Sequence, residues 1–130
     1  MLLILGAARR ASEGIEQAKN SKWKWSADFL IGKQLTGTRL GILGMGRIGR
    51  AVAKLARAFG MIIHYHNRTK LSATLEMGAT YHDSIKSLFS VSDNLDILGA
   101  RCHHHSTISF HDLISKNGCG IVHASIGRIS

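Results

Sequence analysis

Leu40-Gly41-Ile42-Leu43-Gly44-Met45-Gly46-Arg47-Ile48-Gly49 is the stretch that decides the fold. Thr38 to Leu43 is a short, largely apolar run, as expected of a parallel strand buried on both faces. Gly44-Met45-Gly46 interrupts it. Arg47 to Phe59 then reads as a helix, with Ile48, Val52, Leu55 and Ala56 on one stripe and Gly60 as its C-terminal cap. Met61-Ile62-Ile63-His64-Tyr65-His66 reads as a second strand. A Gly-x-Gly-x-x-Gly pattern is weak alone. Between a strand and a helix, and ahead of a second strand, it predicts a phosphate-binding turn. Gly44 permits the sharp strand-to-helix turn, Gly46 lets a pyrophosphate approach the backbone, and Gly49 lets the helix pack closely. The helix start offers unpaired N–H groups and about half a positive charge. Gly44, Met45, Gly46, Arg47, Ile48 and Gly49 are therefore the candidate cofactor-binding residues. A glycine turn without a ligand is the competing reading.

The end of the second strand should meet the adenine ribose of such a cofactor. NAD-binding proteins usually place Asp or Glu there, about 20 residues on, to accept from the 2′-hydroxyl. Here the strand runs out at His66-Asn67-Arg68. Asn67 stands in the acid's place and does not repel a 2′-phosphate. Arg68 offers a planar cation suited to phosphate. The expected cofactor is NADP or NAD, with NADP favoured, and Asn67 and Arg68 join the candidate site. A solvated turn is the competing reading of Arg68.

Outward from this unit, residues 2–19 read as one helix, because Leu2, Leu5, Ala8 and Ala11 to Ile15 recur at spacings of three and four. Residues 21–36 are irregular, with Trp23 and Trp25 read as pinning a loop to the core. A weak helix is expected near 71–77 and a short extended piece at Ala79-Thr80-Tyr81. A helix capped by Asp83 or Ser84 should run to about Phe89. Strands are expected at Leu95–Leu98 and Gly120–Ala124, with one or two helical turns at His111–Lys116. Alternating strands and helices imply an α/β fold, a Rossmann-like doubly wound parallel sheet with helices on both faces. The expected organisation is a leading helix and connecting loop over 1–36 and an incomplete dinucleotide-binding domain over 37–130, with no substrate domain.

Composition narrows the alternatives. The chain has 130 residues, no proline, and 17 Lys+Arg against 8 Asp+Glu, a formal charge of +9. That charge invites nucleic acid or an anionic membrane. The cations are dispersed in pairs such as Arg9-Arg10 and Arg47/Arg50, so a nucleic-acid domain is the weakest reading. No apolar run approaches the roughly 20 residues of a membrane span. Cys102 and Cys119 form no disulfide framework, so a cytoplasmic location is expected. Cys102 with His103, His104, His105 and His111 has atoms that suit zinc, but the spacing fits no standard closed site, and no metal site is expected.

The run from Leu2 to Asp93 resembles the cofactor-binding domain of D-isomer-specific 2-hydroxyacid dehydrogenases, most of all their glyoxylate and hydroxypyruvate reductase branch. Leu3-Ile4-Leu5-Gly6-Ala7-Ala8-Arg9-Arg10, Trp23-Lys24-Trp25, Leu35-Thr36-Gly37 and the Leu40–Ala53 stretch carry the resemblance. Ala58-Phe59-Gly60-Met61, Tyr65-His66-Asn67-Arg68 and Val91-Ser92-Asp93 complete it. The resemblance implies hydride transfer between a nicotinamide and the C2 of a 2-hydroxy or 2-keto acid. It also implies an Arg for the substrate carboxylate and a His–Glu pair for acid–base work. Helix 2–19 resembles the segment that helps form the family's subunit contact.

The resemblance decays after Asp93. Gly99-Ala100-Arg101-Cys102-His103-His104-His105-Ser106-Thr107 stands where the family has a proline-containing loop. Ile126 falls where the catalytic Arg belongs, and an Ile cannot pair with a carboxylate. No residue is assigned as the family's catalytic Glu or His. The expectation is a dinucleotide-binding module without dehydrogenase activity of its own. The alternative is a non-enzymatic protein that pairs with itself or with a full-length relative.

Overall fold

A computed structural model of the chain describes residues 1–20, 26–97 and 120–123. Its elements run α1 (Leu2–Ala8), α2 (Ala11–Lys19), β1 (Arg39–Leu43), α3 (Arg47–Ala58), β2 (Ile62–His66), α4 (Ala73–Glu76), β3 (Thr80–Tyr81), α5 (Ile85–Val91), β4 (Asn94–Ile97) and β5 (Gly120–His123). The five strands form one sheet in the order β3-β2-β1-β4-β5. All four pairings are parallel. The order reverses between β1 and β4, which is where open α/β sheets bind ligands, outside the carboxyl ends of the strands.

β1 lies at the centre and is covered on both faces, which explains its continuous apolar run. Leu40 and Ile42 enter one core with Ile4 of α1, Ala53 and Ala56 of α3, and Ile63 and Tyr65 of β2. The opposite face holds Leu88 and Phe89 of α5 with Leu95 of β4, and Leu43 packs against them. Gly41 faces that second core. A Cβ there would stand 2.1 Å from Ser92 Oγ. Arg39 and Asp93 fix the base of β1: Asp93 Oδ2 accepts from the Arg39 backbone N–H (2.8 Å) and Nε (3.1 Å), and Oδ1 from Nη2 (3.0 Å).

Two expectations are corrected. The single helix over 2–19 is two helices, because Arg10 turns left-handed at φ 52°. The cause lies in a distant segment. Lys33 N–H donates to Ala8 O (2.8 Å), the acceptor that a continuous helix would offer to Ser12. The apolar stripe on α3 is only partly its buried face: Val52 and Ala56 meet the core as expected, but Ile48 and Leu55 do not. Gly49, Ala53 and Ala56 are buried there, while Ile48 is 47% and Leu55 52% exposed. Small residues win the sheet-facing side because they let the helix axis approach the sheet.

The other elements follow the sequence within a residue or two. α3 ends in a Schellman arrangement: Gly60 N–H donates to Arg57 O (2.9 Å) and Met61 N–H to Ala56 O (3.1 Å), with Gly60 at φ +73°. Ser84, one of the two candidates, caps α5 by accepting from Ser87 N–H. The expectations for Trp23, Trp25, residues 98–119 and Ile126 lie outside the described residues. Among the described residues no helix is long and apolar enough to cross a membrane, and no group of three or more His, Cys, Asp or Glu could hold a metal ion.

Candidate dinucleotide site

The loop between β1 and α3 is held from below and left open above. Gly44 N–H donates to His66 O (3.0 Å), which ties the loop to the end of β2. Gly44 itself has φ +98°, a conformation that L side chains rarely adopt. Met45 sends its side chain into the core, 1% exposed. Its N–H donates to Asn67 Oδ1 (2.7 Å). At Gly46 nothing lies within 4 Å of where a Cβ would stand. At Gly49 a Cβ would lie 2.7 Å from Gly44 O and 3.3 Å from Ile42 Cγ2. The three glycines thus have three separate jobs, in the turn, at the open surface and in the helix–strand contact.

The start of α3 supplies the donors. The first intrahelical bond runs from Arg50 N–H to Gly46 O (3.0 Å). The N–H groups of Arg47, Ile48 and Gly49 precede it, and no side chain caps the helix start. Arg47 and Ile48 are exposed and Gly49 is buried. An open surface at Gly46, helix-start donors with no side-chain cap among the described residues, and the partial positive charge of the helix fit the pyrophosphate of a dinucleotide.

The far end of the site is the turn after β2. Asn67 is half-buried and Arg68 exposed. Asn67 Oδ1 accepts from Met45, and the amide NH2 keeps its two N–H donors to offer. Two tyrosines that sequence reasoning passed over hold this turn. Tyr81 OH donates to Asn67 O (3.4 Å). Tyr65 OH donates to Glu76 Oε1 (2.6 Å) and accepts from Leu71 N–H (3.0 Å). Burial, and then the bond to Glu76, push the Tyr65 phenol up to about 12. A tyrosine in a buried strand usually needs a partner for its hydroxyl, and that was the available signal.

Histidines crowd the flank of the turn. His64 Nδ1 and His82 Nε2 are 2.9 Å apart, His82 Nδ1 lies 2.8 Å from Ser87 Oγ, and His66 Nδ1 lies 2.7 Å from His82 O. The His64 and His82 ring centroids are 5.2 Å apart. With the two nitrogens in contact, that wide separation means they face each other head-on, as in an N–H···N bond and not as in a pair converging on a metal. Burial first, then His82 and Arg39, lower the His64 pKa below its ordinary value, while Asp93 raises it.

The sequence model of the NAD-binding domain of D-isomer-specific 2-hydroxyacid dehydrogenases matches residues 1–115. The chain belongs to that family. It is 45% identical over 95 residues to a glycerate dehydrogenase from Hyphomicrobium methylovorum, covering 71% of this chain and 30% of the relative. It is 42% identical over 133 aligned positions to 4-methyl-2-oxopentanoate reductase A from Aspergillus oryzae, covering 99% and 39%. Among solved structures, a glyoxylate reductase from Paecilomyes thermophila superimposes with a TM-score of 0.77 at 39% identity, over 94% of this chain and 37% of that one. The chain therefore spans between about three tenths and two fifths of the length of these relatives. It is an NAD-binding domain of that family, with the Rossmann-like α/β fold expected from its glycines.

Proposed function

We propose that this chain is the dinucleotide-binding module of a reductase acting on a glyoxylate- or hydroxypyruvate-like 2-keto acid, and that it prefers NADP(H) to NAD(H). Asn67 carries the preference. Its oxygen is engaged by Met45 N–H at 2.7 Å, so the end of β2 offers amide donors and the exposed Arg68, and no carboxylate. Donors and a planar cation suit a 2′-phosphate. Gly44, Gly46 and Gly49 shape the pyrophosphate seat, the N–H groups of Arg47 and Ile48 face it, and Met45 holds the loop from below. The nicotinamide would supply the hydride; this chain's residues supply binding and orientation. Residues 1–36 lead into the domain, and Ile4 already belongs to its core.

The 130-residue chain by itself should turn over no 2-keto acid, because Ile126 stands in place of the substrate-binding Arg. A cytoplasmic location fits the reading. Titrating NADPH and NADH against the purified chain, with cofactor fluorescence as the signal, tests both claims. Tighter NADPH binding without hydroxypyruvate turnover is expected. Equal or tighter NADH binding overturns the preference, and turnover overturns the inactivity.

A second reading is pairing with another copy or a full-length relative. It is favoured by the apolar side chains that α1 and α2 leave outside: Leu2 is 82%, Leu3 55% and Ile15 57% exposed. Light scattering of the purified chain tests it. A monomer at every concentration would remove self-pairing.

A further inference from the structure

The turn that carries Arg68 is pinned on both sides. On one side Asn67 is fixed through its side chain by Met45 N–H (2.7 Å) and through its carbonyl by Tyr81 OH (3.4 Å). On the other, Leu71 N–H is fixed by Tyr65 OH (3.0 Å), which leans in turn on Glu76 (2.6 Å). Arg68, Thr69 and Lys70 lie exposed between these anchors. Lys70 Nζ is 4.0 Å from Glu76 Oε1 and 5.9 Å from the Tyr81 ring centre. Arg68 has no side-chain hydrogen bond or ion pair with any of the described residues. The anchors around it thus set the backbone from which its side chain reaches out. Tyr65 is 0% exposed, so it touches no ligand, and its hydroxyl acts through Leu71 and Glu76.

We propose that Tyr65 is a positioning residue for cofactor discrimination: its hydroxyl, braced by Glu76, holds the 67–71 turn so that Arg68 meets the phosphate of a 2′-phosphorylated dinucleotide. The inference rests on the reading of Arg68 given above. It has a consequence that a packing role alone lacks. Removing one oxygen from a buried ring should change the ratio of two affinities, because NADH has no phosphate for Arg68 to meet.

The experiment measures NADPH and NADH dissociation constants for the wild type, Tyr65→Phe, Arg68→Ala, the double variant, Tyr81→Phe and Glu76→Gln. Tyr65→Phe should weaken NADPH by about fivefold, the scale of one hydrogen bond's net contribution, and leave NADH within about twofold. Adding Tyr65→Phe to Arg68→Ala should change the ratio no further. Tyr81→Phe removes the anchor on the other side and should shift the ratio the same way, which keeps the test decisive if Tyr65→Phe does not fold. Glu76→Gln keeps an acceptor for the phenol and should preserve the ratio. The proposal is overturned if Tyr65→Phe and Tyr81→Phe move both affinities equally or neither, or if the Tyr65 effect persists undiminished without Arg68. A wild type that binds NADPH no better than NADH would fail earlier, at the reading of Arg68, and take this inference with it.

Discussion

The Met45 backbone N–H donates to Asn67 Oδ1 across 2.7 Å, joining the glycine loop to the end of the second strand. One bond thus ties the proposed phosphate seat to the residue proposed to face the adenosine end. It predicts opposite outcomes for two substitutions. Asn67→Asp keeps the acceptor and adds a charge. NADPH should weaken by at least about tenfold, since like charges at an interface cost several kcal/mol, while NADH should hold or improve. Asn67→Ala loses the bond, worth about 0.5–1.5 kcal/mol net, and should weaken both cofactors. Titration of each variant with both cofactors checks the contrast.

The glycines separate binding from stability. Gly46 has φ −80°, which any residue accepts, and open space around it. Gly46→Val should melt at the wild-type temperature and lose dinucleotide binding. Gly49→Ala would press on the Gly44 carbonyl at 2.7 Å, and overpacking of this kind costs about 1–3 kcal/mol. It should lower the melting temperature. Thermal melts with and without NADPH separate the two. A Gly46→Val chain that still binds would sink the assignment of the loop.

Gly41 makes a prediction away from the site. Its Cβ would stand 2.1 Å from Ser92 Oγ, which is buried and donates to Leu88 O (2.6 Å). Gly41→Ala should destabilise the chain by about 1–3 kcal/mol through overpacking, and combining it with Ser92→Ala should recover part of that. Urea unfolding of the single and double variants provides the check.

Acid should weaken the fold in two windows. His64 titrates below its ordinary 6.5 in the folded chain. The unfolded chain then binds more protons between the depressed value and 6.5, so stability rises with pH there and falls as pH drops below about 6.5. Asp93 is held below its ordinary 3.8 by Arg39. Its contribution is present above 3.8 and is lost as pH falls through the depressed value. Both ends of that pair are well exposed, at 46% and 41%, so the effect should be small and salt-sensitive. His64→Gln should flatten the upper window and Asp93→Asn the lower. Stability curves parallel to wild type for both variants would refute the account.

The sheet order and the glycine turn were legible because local signals and tertiary demands agree there. Leu40 and Ile42 are apolar and face one core, and Gly44 stands where φ is positive. The break at Arg10 was not legible, since its cause is a bond from Lys33, more than twenty residues away. The α3 stripe misled in part, for a related reason. Hydrophobicity marks Ile48 and Leu55 beside Val52 and Ala56, but close approach to β1 leaves the first two exposed and brings in Gly49 and Ala53. In the site, Asn67 could be found from its distance to the glycines. Its bond to Met45, and the bracing by Tyr65, Glu76 and Tyr81, depend on side-chain geometry that sequence spacing does not carry.

The most direct measurement is a titration of isotopically labelled chain with NADPH, followed by amide nuclear magnetic resonance. The largest shifts should fall on Gly46, Arg47, Ile48 and Gly49 at the glycine loop and on Asn67 and Arg68 at the end of β2. Absence of any shift at millimolar NADPH, or shifts confined to residues remote from both places, would contradict the assignment of this loop and turn as a dinucleotide site.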